Sequence, residues 1–158
     1  MMHKFNSKPS IILGMHDAIV SLLGLIAGLY FAFTDTNIII VSCVITSITA
    51  SLSMGAANYL AVRTSSGRSN AIRAALHTFL SYMVTCILLI LPFFVFSNRE
   101  ISLIFVVAMA VLIIFGFNMA FYRGRGFYHH FFEMLSICTI ISIVAFLIGE
   151  IAHSVFGI

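Results

Sequence analysis

Two residues near the start of the chain, Asp17 and Met54, have the types and settings to do chemistry at membrane depth. Asp17 lies in Gly14-Met15-His16-Asp17-Ala18-Ile19-Val20-Ser21, early in an otherwise uncharged apolar run. Met54 lies in Ser51-Leu52-Ser53-Met54-Gly55-Ala56-Ala57-Asn58-Tyr59-Leu60, near the end of the next run. A carboxylate inside a spanning segment is costly, and its default reading is an ion or substrate pathway. A thioether beside a carboxylate offers a soft and a hard donor together, a set suited to a borderline transition metal.

Spacing assigns further residues to the same faces. In the first run Gly14, Asp17, Ser21, Gly24 and Gly28 are separated by 3, 4, 3 and 4 positions, one face of a helix. Gly24 and Gly28 form a small-xxx-small pair, expected to admit another backbone closely and to serve as a dimer contact. In the second run Cys43, Ser47, Ser51, Met54 and Asn58 are separated by 4, 4, 3 and 4. Asp17, Met54, Asn58, Ser21 and Ser51 are therefore the candidate lining of a translocation path. Asp17 lies roughly 12 Å along the helix from Pro9, at about 1.5 Å per residue.

The elements that must position these residues follow from composition. Of 158 residues, 61% are hydrophobic and 8% charged, with a mean hydropathy of +1.14. A soluble domain carries about 25% charged residues, so this is the composition of an integral membrane protein in a single domain, residues 1–158. Crossing the hydrocarbon core as a helix takes about 20 apolar residues. Runs long enough are found at about 11–33, 38–62, 71–96, 101–122 and 130–156, predicting five transmembrane helices in an all-α protomer. Thr34-Asp35-Thr36-Asn37 and Ser97-Asn98-Arg99-Glu100 read as turns, Thr64–Asn70 as a flexible loop, and Arg123-Gly124-Arg125-Gly126 as a basic glycine hinge. Pro92 is expected to kink or end the third run.

Charge placement sets orientation. With alternating spans, Lys4, Lys8, Arg63, Arg68, Arg73, Arg123 and Arg125 fall on one side, and the other holds only Arg99 among basic residues. The positive-inside rule then puts the N-terminus in the cytoplasm and, after five spans, the C-terminus outside. The net charge of +3 is thus a matter of membrane topology, and no nucleic-acid partner is expected. The first run is too long for a signal-peptide core and lacks a cleavage site, so it reads as a span.

A second acidic candidate is Glu133, with His129 and His130 one turn before it. His129 and Glu133 stand at i, i+4 and share a face, a possible cytoplasmic entry point for metal. Cys43, Cys86 and Cys138 are odd in number and lie in apolar runs, which indicates neither a disulfide framework nor a zinc site. Six scattered histidines cannot supply a di-iron oxygenase centre, and phosphate loops and nucleophile elbows are absent. No enzyme activity and no permanently bound cofactor are expected.

On these residues the chain resembles the vacuolar iron transporter family. Gly14-x-x-Asp17-Ala18-Ile19-Val20-Ser21 with Gly24 and Gly28 is similar to the family's glycine–aspartate start, and Ser53-Met54-Gly55 with Asn58-Tyr59-Leu60 to its methionine–glycine motif. The stretches Ala74-Ala75-Leu76 to Leu91-Pro92 and Phe146-Leu147-Ile148-Gly149 are similar as well. The resemblance implies a five-helix protomer that dimerises around the first helix, with Asp17 and Met54 of both copies lining the path. It further implies a homodimer in a plasma, inner or organelle membrane that exports Fe2+ or Mn2+ from the cytosol in exchange for protons. Two departures stand out. Only Thr64–Asn70 occupies the place of the Glu-rich metal-gathering insertion of eukaryotic members, and Asn58 stands where the family usually has an acidic residue. Those departures leave two other readings open: a membrane interaction or structural protein with the same fold, and a transporter of another cation.

Overall fold

The computed structural model describes residues 6–96, 98–121 and 125–156, and every element in them is a helix. The elements are α1 (Lys8–Ala32), α2 (Thr36–Val95), α3 (Arg99–Phe121) and α4 (Arg125–Phe156). All four are long and apolar enough to cross a membrane. Helices are the expected solution, because a bilayer offers no water to satisfy a backbone amide and the helix satisfies it internally. The exterior is apolar to match: Phe94, Ile104 and Ile151 are 65%, 67% and 62% exposed.

The runs expected as the second and third spans both lie in α2, as two helices that meet at a kink. At 60 residues α2 would reach about 90 Å if straight, three times a hydrocarbon core of about 30 Å. It is not straight. Gly67 departs from helical geometry with φ 78° and ψ 170°, and the chain bends there. This φ is left-handed and favours a residue without Cβ. The two halves fold back on one another: a Cβ on Gly55 would lie 3.3 Å from the Ala75 carbonyl and 3.4 Å from Phe79.

The flexible loop expected over Thr64–Asn70 is corrected by this geometry. The stretch stays helical apart from Gly67, and its hydroxyls bond back to the turn before them, Thr64 Oγ1 to Ala61 O at 2.8 Å and Ser65 Oγ to Val62 O at 3.3 Å. The other breaks are capped turns. Asp35 Oδ1 accepts from Asn37 N at 2.8 Å to start α2, and Asn98 Oδ1 accepts from Glu100 N at 2.9 Å to start α3. Pro92 lies in the last turn of α2, three residues before its end. Arg125 and Gly126 belong to α4, whereas Arg123-Gly124 of the expected hinge, Lys4 and Ser97 lie outside the described residues.

The core forms where α1 lies against both halves of α2 and against α4. Ala18, Ile19, Leu22 and Ile26 of α1 are buried against Ile39, Cys43, Tyr82, Cys86 and Leu89 of α2. α3 joins through Val106, Ala110 and Ile114. At its inner end Asn118 is wholly buried; its amide donates to Ile114 O at 2.8 Å, while its Oδ1 has no hydrogen-bond partner among the described residues.

Candidate functional site: a polar seam along α1 and α2

The second half of α2 carries Thr78, Tyr82 and Cys86, four residues apart and all buried. Thr78 and Tyr82 each make a side-chain bond to another helical segment. Thr78 Oγ1 accepts from Asn58 Nδ2 at 2.6 Å and donates to Ser10 O at 3.0 Å. Tyr82 OH lies 2.7 Å from Ser21 Oγ. Cys86 continues the same face, and Ser47 in the first half of α2 donates its hydroxyl to Cys43 O at 2.6 Å. Two polar rungs thus climb one seam, joining α1 and both halves of α2.

Proton counting orients the Tyr82 rung. Ser21 has one hydroxyl proton and donates it to the Asp17 carbonyl at 2.6 Å. Tyr82 must therefore be the donor in its bond to Ser21, which leaves the lone pairs of the phenol oxygen unused. Asp17 sits one turn before Ser21 and is half-buried. Among the described residues its carboxylate takes no hydrogen bond and no ion pair. Gly14 makes the closeness possible, since a Cβ there would overlap Thr78 O and Ser81 Oγ.

The other expected site residues are distributed unevenly. Met54 is partly buried against the core, and nothing bonds it to Asp17 within one protomer. Ser51 is wholly buried and donates to Ile48 O at 2.9 Å. Asn58 is 8% exposed and its amide nitrogen is committed to Ser10 Oγ at 3.1 Å and Thr78, so it clasps three helical segments together. His129 and Glu133 line one shallow depression on α4, as their spacing predicts, but the ion pair is His130 Nδ1 to Glu133 Oε2 at 3.4 Å, at i, i+3. Among the described residues no three His, Cys, Asp or Glu side chains converge to hold a metal ion.

Gly24 and Gly28 do serve helix packing, but the helix they admit is α4 of the same chain. A Cβ on Gly24 would come within 3.2 Å of Ile141 Cγ2, and one on Gly28 within 3.3 Å of the Ala145 carbonyl. Gly149 completes the contact, for a Cβ there would overlap Gly28 O. The small-residue face expected to meet a second protomer is therefore filled from within.

Sequence reasoning missed Tyr82 and Thr78. Their spacing of four on the third apolar run, continued by Cys86, carried the same signal that singled out the stripe on the second run.

A multi-pass helical membrane protein with a half-buried carboxylate that takes no hydrogen bond among the described residues, set beside a buried polar seam, is the class that fold and site define. The chain belongs to the VIT family, the vacuolar iron transporters: the family profile matches residues 9–68 and 64–150. The two matched segments meet around Gly67, where α2 bends. This is a family of membrane metal-ion transporters rather than of enzymes. Comparison with curated proteins gives no match.

Proposed function

We propose that the protein exports Fe2+, with Mn2+ as a second substrate, from the cytosol in exchange for protons. The observation that carries this reading is the half-buried Asp17 carboxylate, which no hydrogen bond or ion pair neutralises among the described residues. A carboxylate in such a place binds a cation or a proton and exchanges one for the other, which is the elementary step of antiport. Met54 adds a sulfur that disfavours Mg2+ and Ca2+, both of which take oxygen donors. His129, His130 and Glu133, at the start of α4, would collect metal on the cytoplasmic side.

In this reading two copies share the path. One protomer contributes a single carboxylate and one thioether, too few donors for a divalent ion, and a two-fold axis beside α1 doubles them. Because α4 fills the Gly24–Gly28 face, the contact between copies runs along Leu13, Asp17 and Val20. Leu13 is 40% exposed, and the other two are partly exposed. The bend at Gly67 makes five passes of α1–α4, with the N-terminus in the cytoplasm as the charge bias requires.

The test is metal uptake into proteoliposomes of purified protein, comparing Fe2+, Mn2+, Zn2+ and Ca2+ with and without a proton gradient. Fe2+ uptake accompanied by proton counterflow is expected. Met54→Leu is expected to lower Fe2+ uptake about tenfold, equivalent to about 1.4 kcal/mol of binding, and to narrow the margin over Ca2+. Uptake equal to empty vesicles for all four ions would leave a non-transporting membrane protein as the reading.

A further inference from the structure

α3 and α4 start from a shared end and part as they cross the membrane. Near the connection they are held together: Phe115 meets Phe127 and Phe131 edge-on at 5.4 and 6.1 Å, and Asn118 Nδ2 reaches Met134 Sδ at 3.5 Å. At the far end each is tied to a different neighbour. α3 is drawn to α2, with Phe105 stacked on Phe96 at 4.3 Å and Ser102 Oγ within 3.4 Å of Pro92 O. α4 is drawn to α1, with Phe146 edge-on to Phe31 at 4.5 Å and Gly149 against Gly28.

The divergence leaves a wedge of about 390 Å3 between α3 and α4, closed behind by α1. That volume falls in the range of about 300–1,000 Å3 typical of small-molecule sites. Its lining is hydrocarbon apart from Thr139, Ser142 and the Cys138 thiol, and the Thr139 hydroxyl is already bonded to Leu135 O at 2.8 Å. The wedge reaches down to Ile26, Ala110, Ile114 and Cys138, which are 1%, 2%, 1% and 4% exposed. It therefore enters the core of the protomer rather than following its outline.

Water is excluded from such a place, since an apolar cavity offers none of the two to four polar partners that a buried water needs. α3 and α4, which frame the mouth, are both long and apolar enough to cross a membrane, so in a bilayer the medium beside them is lipid chains. We infer that the α3–α4 wedge is a binding site for one acyl chain of a bilayer phospholipid, inserted against Ala110, Ile114 and Cys138. The chain replaces the dispersion contacts that the splayed helices do not make with each other, and so holds α3 to the rest of the bundle.

The experiment reconstitutes the full-length protein in phosphatidylcholine vesicles doped with a phosphatidylcholine bearing a diazirine within its acyl chain. After irradiation, adducts are mapped by mass spectrometry. Adducts on the floor residues Ala110, Ile114 and Cys138 are expected, because a lipid merely surrounding the protein touches the outer ridges at Ile104, Leu112 and Ile151 and not the floor. Ala27→Phe, which fills the wedge from α1, is expected to lose the floor adducts and keep the ridge adducts. Ser142→Phe provides the same test from α4, should the first variant fold poorly. Adducts confined to the ridges of the wild type, or floor adducts that persist in a folded filled variant, would overturn the proposal. So would an interprotomer disulfide through Ile143→Cys, which would show the wedge occupied by a second copy.

Discussion

The two sides of this bundle are held together by different forces. Where α1 meets α2, side-chain hydrogen bonds cross between segments at two levels, through Thr78 and Tyr82. Where α3 meets α4, contact is made by phenyl rings and the weak Asn118–Met134 bond at one end and lost toward the other, and the buried Asn118 keeps an oxygen with no hydrogen-bond partner among the described residues. In a bilayer the hydrophobic effect does not distinguish helix–helix from helix–lipid contact, so directional bonds and close packing decide which helices hold fixed positions. The Asp17 carboxylate belongs to the bonded side. The apolar side is left free to take up lipid.

The largest expected effect comes from removing the charge that the bonded side surrounds. Asp17→Asn should reduce metal uptake to the level of empty vesicles while leaving the detergent melting temperature within a few degrees of wild type, because the carboxylate makes no stabilising bond. Wild-type uptake in this variant would detach the seam from transport altogether. Next is Gly14→Ala, which sets a methyl into the Thr78 carbonyl and should destabilise the protein by about 1–3 kcal/mol, read as a lowered thermal midpoint. An unchanged midpoint would mean that α1 and α2 can part without cost, erasing the contrast.

A smaller effect is expected from Tyr82→Phe. It leaves the Ser21 oxygen without a donor and should cost about 0.5–1.5 kcal/mol, near the low end if membrane hydrogen bonds average about 0.6 kcal/mol. A loss of several kcal/mol would place Tyr82 in a wider network than its single bond. The smallest expected change is Gly116→Ala on α3, where a Cβ meets nothing within 4 Å. It should be neutral or stabilising by up to about 1 kcal/mol through helix propensity. Destabilisation there would show α3 packed against something besides lipid. On the connection, Gly67→Ala should cost about 1–3 kcal/mol from backbone strain alone, since the added methyl has open space around it but the positive φ with an extended ψ is a conformation essentially confined to glycine. The same thermal midpoint reads it.

The sequence by itself determined the membrane class, the helical content and the solitary carboxylate. These depend on local properties: a run of about 20 apolar residues can satisfy its backbone in lipid only as a helix, and one Asp within such a run is visible without any fold. The stripe through Gly14, Asp17 and Ser21 was legible for the same reason, being one face of one helix. What each stripe faces was not legible, because a helical face has no memory of its partner in the spacing of its residues. Only the tertiary structure turned Gly24 and Gly28 toward Ala145 and Gly149 of α4, committed the Asn58 amide to Thr78 and Ser10, and paired His130 rather than His129 with Glu133. It likewise made a bent helix of Thr64–Asn70, because polar side chains that read as a loop can bond back to the preceding turn and let Gly67 alone absorb the change of direction.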